Sequence, residues 1–350
     1  MKKILFAVAC AMVLGSCSGE QETDNKQPSG SLTFEISAVN SLQTRADLYS
    51  QEPIHEVERV SVYVFKESGS DYLYLKTFEI PSWAKGSGFQ RYEVPNTDML
   101  PGGNYRFLVV GRDLTDNFTL PTLTANTTNY NDFIVSISAP GQETEIFAGS
   151  KDVAIVSQGM RVPITITRQV AGVLGYFKNI PADIGGTTVK FLRLSVSNSS
   201  TEVNLTTGVG TELTGTSYNL INVDLSSQTV NSDGAYVGND LTSAGIVKVD
   251  NSQLNGAFVL PVNGVSLTLG LYDASNNPLK TWTILNEVSA NSYNILPNHF
   301  YTIGTKVANG STTGTPDNPT PDSPVDLMRD QSIAINISPN WVQVHDMAIQ

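Results

Sequence analysis

Apolar residues recur at every second position through much of this chain. Leu32, Phe34, Ile36 and Ala38 alternate with Thr33, Glu35 and Ser37, the period that sets one face of a strand on a core and the other toward water. Val60, Val62 and Val64 alternate in the same way with Ser61, Tyr63 and Phe65. Further strands are predicted over 72–80, 105–110, 132–137, 145–147 and 160–167, bounded by turn residues such as Pro101-Gly102-Gly103-Asn104. A second series covers 170–177, 190–196, 218–223, 245–249, 256–260, 266–271, 279–285 and 300–306. No window of helical length carries a helical stripe. The expected fold is therefore all-β, with two β-sandwich domains in tandem, over 46–168 and 169–308.

The ends of the chain depart from this rhythm. Lys2 and Lys3 precede an apolar run from Ile4 to Leu14, about half of what a bilayer-spanning helix needs, so residues 1–16 read as an export leader. Leu14-Gly15-Ser16-Cys17 resembles a bacterial lipobox, in which Cys17 is lipidated and becomes the new N-terminus, tying the protein to a membrane. An ordinary cleaved leader that happens to contain a cysteine is the other reading. Residues 18–30 are polar and turn-rich, a tether. Asn40 to Pro53 has no clear period and contains Thr44-Arg45-Ala46-Asp47. Beyond Lys306, residues 309–331 open with Asn-Gly-Ser-Thr-Thr-Gly-Thr-Pro and hold four prolines, a composition that predicts an extended linker. Within the C-terminal extension 332–350, Ile333, Ile335 and Ile337 alternate with Ala334 and Asn336, and Trp341-Val342-Gln343-Val344 follows.

Two strand-like segments thus lie at opposite ends, each set off by a stretch without pattern. Leu32, Phe34 and Ile36 present three large apolar residues at alternate positions, and so do Ile333, Ile335 and Ile337. Either triplet suits the same kind of groove between strands. A protease cutting between Arg45 and Ala46 would let the N-terminal strand leave, so that residues 17–45 act as a removable propeptide. The sheet would then hold an open groove that a strand from a neighbouring molecule can fill through main-chain hydrogen bonds and pocket-filling side chains. A head-to-tail contact of that kind does not close, and it grows a filament. The plainer alternative is that these are the first and last strands of one molecule, and an exposed Arg in a loop is a common protease site.

Charge and composition narrow the chemistry. The formal net charge is −12, and loss of residues 1–16 leaves 19 basic against 33 acidic residues, or −14. With no basic cluster, a nucleic-acid role is not expected. Cys10 and Cys17 are the only cysteines, so a processed chain has no thiol for a disulfide, a metal or catalysis. His55, His299 and His345 stand far apart without a metal-site pattern, and Asp317, Asp322 and Asp326 lie among prolines that spoil a calcium loop. No catalytic, cofactor or metal residue is expected. Trp83, Trp282 and Trp341 could stack on sugars, although single tryptophans in strands more often pack in cores.

Several stretches are similar to the fimbrillin superfamily, the lipoprotein-derived type V pilins of Bacteroidia. They are Val57-Glu-Arg-Val-Ser-Val-Tyr-Val-Phe65, Leu100-Pro-Gly-Gly-Asn-Tyr-Arg-Phe-Leu-Val-Val110, Glu145-Ile-Phe-Ala-Gly149, Arg168-Gln-Val-Ala-Gly172 and Asn294-Ile-Leu-Pro-Asn-His-Phe-Tyr301. The resemblance implies two transthyretin-like sandwiches, export as an outer-membrane lipoprotein acylated at Cys17, and trimming at Arg45–Ala46 by an arginine-specific protease. It also implies donor-strand assembly through the segment from Ser332, with copies of the same chain and related subunits as partners. The Pro-rich linker has no counterpart in that pattern. Two functions follow. One is a structural pilin subunit that supports adhesion from the cell surface, in a stalk, tip or anchor position. The other is a monomeric, lipid-anchored surface lipoprotein that binds glycan or host protein.

Overall fold

The structure is a computed structural model and describes residues 32–38, 57–84, 87–156, 159–211, 217–286, 292–306 and 321–338. Cys17, Arg45, Ala46, His55, Trp341 and His345 lie outside these residues. Among the described residues the fold is all-β, and its helical pieces are single 3-10 turns at Asn96–Asp98, Tyr130–Asp132 and Thr242–Ala244.

The N-terminal half supplies β1 (Thr33–Ala38), β2 (Arg59–Ser68), β3 (Asp71–Ile80), β4 (Phe89–Glu93), β5 (Gly103–Arg112), β6 (Ile146–Ile155) and β7 (Arg161–Arg168). They form one sheet in the order β3-β2-β5-β6-β7-β1-β4. β6 and β7 pair only at Phe147–Ala148 and Thr167–Arg168, so the sheet folds over there into two layers. Gly149 allows the crossing, because a Cβ at that position would run into the Thr165 carbonyl. Between the layers lie Phe34, Val62, Val64, Phe78, Phe107 and Ile164.

The alternation in β2 suggests one dry face and one wet face, but both faces are covered. Val60, Val62 and Val64 look into the sandwich, while Tyr63 and Phe65 pack against Phe133 on the reverse side, with ring centroids 4.7 and 6.4 Å apart. That second core also takes Val203, Leu205 and Leu260 from the C-terminal half. A short strand at Ile134–Ile137 pairs antiparallel with Glu202–Asn204, Val135 opposite Val203. The halves are therefore joined by a ladder and a shared apolar cluster. Nearby, Arg168 Nε donates to Glu145 Oε1 at 2.6 Å, both side chains being buried, and the guanidinium lies 5.0 Å from the Phe147 ring centroid. Two of the stretches that resemble fimbrillins thus meet at this junction.

Another contact across the halves is titratable. Tyr218 donates its hydroxyl to Glu143 Oε1 at 2.8 Å, and burial pushes the Glu143 carboxyl up to about 6. A carboxyl raised in the folded state favours folding below its unfolded value of 4.5, and that benefit fades as pH rises through 6. Stability should fall by about 2 kcal/mol in all, from well below pH 4.5 to well above pH 6. Denaturant titrations at a series of pH values on the native chain and Glu143→Gln check this: the variant should lack the decline.

The C-terminal half supplies β8 (Ala171–Lys178), β9 (Phe191–Ser197), β10 (Ser217–Asp224), β11 (Ser252–Val259), β12 (Leu267–Tyr272), β13 (Pro278–Asn286), β14 (Phe300–Ile303), β15 (Val325–Asp326) and β16 (Ile333–Ser338). Their order is β10-β9-β12-β13-β16-β14-β8-β11, with β15 beside β8. Val173, Leu192, Leu269, Trp282, Tyr301 and Ile335 fill the core. One expectation changes here. Residues 245–249 form no strand: a 3-10 turn ends at Gly245 in the left-handed region, φ 67°, and Ile246 is buried beside Leu174 and Tyr176. Trp83 and Trp282 are both buried, so neither is a platform for a sugar.

Candidate functional site

β1 fills a slot one strand wide. It runs parallel to β7, Thr33 opposite Arg161 through Ala38 opposite Ile166, and antiparallel to β4, Thr33 opposite Glu93 through Ser37 opposite Phe89. Leu32, Phe34, Ile36 and Ala38 point inward and are all buried, as their alternation predicts. The Phe34 ring meets Phe107 edge-on at 4.9 Å and Phe78 at 6.0 Å. Both ends are tied down, Thr33 N–H to the Met160 carbonyl and Ala38 N–H to the Gly88 carbonyl, at 2.9 and 3.0 Å. On the outer face Glu35 Oε1 accepts from Arg91 Nε at 2.9 Å and lies 3.9 Å from Arg161 Nη1. Ser37 and Thr165 share a hydroxyl hydrogen bond of 3.0 Å.

β16 fills a second slot of related geometry. It pairs parallel to β13 through Ile333–Ile335, then antiparallel to β14 through Asn336–Ser338, and so bridges the two layers of the C-terminal half. Each terminal strand has one parallel and one antiparallel neighbour. Their side chains fare differently. Ile333 and Ile335 are buried, but Ile337 is 41 % exposed, because the strand has by then changed layers. The C-terminal strand is seated in the sheet of its own chain.

The segment leading to β16 accounts for that seating and corrects the reading of 309–331 as an extended linker over its last part, 321–331. Residues 307–320 lie outside the described residues, but from Pro321 the chain is docked. Thr305 and Ser323 exchange backbone hydrogen bonds of 2.8 Å. The side chain of Lys306 is almost fully buried and sets Nζ 3.0 Å from Oδ2 of Asp322, whose side chain is fully buried. Tyr176 donates to the same oxygen at 3.1 Å and accepts from the Val249 N–H at 2.8 Å; burial pushes its hydroxyl up to about 12. β15 then runs beside Phe177 and Lys178. Asn179 Nδ2 donates to Asp326 at 2.8 Å, Leu327 is buried, and Trp282 Nε1 donates to the Asp330 carbonyl at 3.3 Å. Gly304 sits at φ +79°, where a Cβ would strike the Tyr176 carbonyl. Hydropathy registers none of this polar clasp.

Among the described residues no group of His, Cys, Asp and Glu could hold a metal ion, and no helix is long and apolar enough to cross a membrane. His299 directs Nδ1 to the Pro297 carbonyl at 2.8 Å, within its own turn.

The class is thus an all-β sandwich protein whose terminal strands complete its sheets. The chain belongs to the family described as fimbrillin-A associated anchor proteins Mfa1 and Mfa2, whose model matches residues 29–311. By that description it is a family of fimbrial proteins. The match includes β1 and ends before β15 and β16. Solved structures similar to the chain include the fimbrial anchor protein Mfa2 of Porphyromonas gingivalis, at 11 % identity over 78 % of this chain and 90 % of that one, TM-score 0.42. A candidate cell adhesion protein of Parabacteroides distasonis matches at 16 % identity over 90 % and 98 %, TM-score 0.46. One from Bacteroides eggerthii matches at 13 % over 89 % and 96 %, TM-score 0.46. No curated protein matches.

Proposed function

We propose that this chain is a subunit of a fimbria that is exported as a lipoprotein through Cys17 and activated by a cut between Arg45 and Ala46. Its two sandwiches, 46–168 and 169–308, are then joined to neighbours by strand exchange. The observation that carries the reading is the placement of β1. The first strand of the described residues plugs a slot between β4 and β7, and the stretch that follows it contains Arg45. Cutting there leaves β1 held by noncovalent contacts alone. Its loss removes the lipid and opens the slot in one event. The trimmed chain keeps 17 basic against 29 acidic residues, so it stays strongly acidic.

β16 is the strand we assign to the neighbour's slot. In register, Ile333, Ile335 and Ile337 take the places of Leu32, Phe34 and Ile36. The exposed Ile337 would then be buried where Ile36 is fully buried now, a gain of about 1.5 kcal/mol or more. That difference provides a clean test. Ile335→Asp is ambiguous, because Ile335 is buried in its own chain too. Ile337→Asp should leave the melting temperature of the monomer within about 2 °C, as expected for a surface change. It should also abolish assembly of the chain cut after Arg45, followed by light scattering. Normal assembly by this variant removes β16 as the donor in this register.

A second reading, an anchor subunit, is favoured by the family and by the fact that β16 is already satisfied at home. It predicts surface protein that still begins at Cys17. A lipid-anchored monomer that binds glycan or host protein shares that N-terminus but forms no subunit contacts.

A further inference from the structure

Glu35 is the only charged residue of β1, and it stands between two arginines. Arg91 comes from β4 on one side and Arg161 from β7 on the other, and both guanidiniums are exposed. When β1 leaves, these two cations flank an empty slot from which Glu35 has gone, with Glu93 of β4 left at its rim. Whatever strand enters next decides whether they are paired again.

Resting on the slot reading above, we propose that the opened slot selects its partner by a carboxylate, and that the favoured donor is a strand from a different subunit. The recognised pattern is large apolar residues at three alternate positions with Glu between the second and third, as in Leu32-Thr33-Phe34-Glu35-Ile36. The apolar residues enter the sandwich, where Phe78 and Phe107 wait, and they do not discriminate between one apolar strand and another. The outward position does. This chain's own donor carries Asn336 there when its isoleucines take the inward places. Shifting it by two residues either way brings Ala334 or Ser338 to the arginines, and neither is an acid. A second copy therefore fills the pockets but brings Arg91 and Arg161 no carboxylate in the place of Glu35. Because both arginines are exposed, the discrimination is modest and salt-sensitive, about three- to tenfold. It acts as choice of partner rather than as gross affinity, as rim charges do at interfaces.

The test uses the full chain nicked after Arg45 by an arginine-specific protease, with the β1 fragment still seated. Labelled synthetic strands compete for the slot: Ser31–Ala38, the same strand with Glu35→Gln, Ser332–Ser338, and that strand with Asn336→Glu. The Asn336→Glu strand should bind about three- to tenfold tighter than its parent, and the Glu35→Gln strand weaker than its parent by a similar factor. Both differences should vanish at about 0.5 M salt and in the Arg91→Gln/Arg161→Gln double variant, while the apolar pattern still binds. Equal binding of acidic and neutral strands, or an advantage that survives in the double variant, overturns the proposal. If the Ser31–Ala38 strand itself does not enter, the slot reading falls and this inference with it. Entry without a carboxylate effect sinks only the inference.

Discussion

Lys306→Met should destabilise the C-terminal half by about 3–5 kcal/mol and loosen β16 before the rest of the molecule unfolds. The reason is asymmetric burial. In the native chain the Lys306 ammonium and the Asp322 carboxylate are both out of water, and each neutralises the other. Removing the cation takes the Lys306 ammonium from the buried Asp322 carboxylate while Tyr176 still donates to it, and losing one partner of a buried pair costs far more than the intact pair contributes. The strain is relieved most cheaply where the clasp is shortest. The bonds from Thr305–Ser323 to Trp282–Asp330 open and β16 follows, while β8 to β14 keep their ladders. Hydrogen exchange read residue by residue checks this: amides of 325–338 should lose protection well before those of β9 and β12. Double substitution to a matched apolar pair, Lys306→Met with Asp322→Leu, should recover much of the loss. Uniform loss of protection across the half would show that the ion pair supports the sandwich as a whole.

The second large effect concerns β1. Phe34→Ala should cost the uncut chain about 3–5 kcal/mol, because the ring is fully buried between Phe78 and Phe107 and the space it leaves is hard to refill. In a chain that has been cut after Arg45 and has released β1, the same substitution should cost nothing, since the residue has gone with the strand. Chemical denaturation of the four species forms a cycle that isolates what β1 contributes. A similar cost in cut and uncut chains would mean that β1 stays seated after cleavage and that no slot opens.

How much of this was legible in the sequence varies element by element, for physical reasons. β1, β2 and β3 show in the alternation because each has at least one face on a core. The second dry face of β2 does not show as such. Tyr63 and Phe65 read as the outward series, and what covers them includes Val203 and Leu260, far away in the chain. β4, Phe-Gln-Arg-Tyr-Glu, was not predicted, since an edge strand with largely exposed side chains carries little hydrophobic signal. Residues 245–249 misled because Ile246 is buried by a turn rather than by a sheet. The docked segment 321–331 was read as linker because a Pro-rich, aspartate-bearing stretch looks unable to bury surface. Its order comes from Lys306, Tyr176 and Asn179, partners supplied by other elements. The two apolar triplets of the candidate site were visible from spacing alone. Their slots, and the unequal burial of Ile36 and Ile337, needed coordinates.

The central claim is that removing β1 turns a closed monomer into a unit that joins others through strands. The most direct measurement is an unheated SDS gel of the purified chain before and after cleavage by an arginine-specific protease, with the N-terminal residue of each band determined. The account predicts a single band before cleavage and, after it, a ladder of SDS-resistant oligomers whose bands all begin at Ala46. A cut chain that remains one monomeric band at high concentration, or a ladder that forms equally well with β1 still attached, would contradict it.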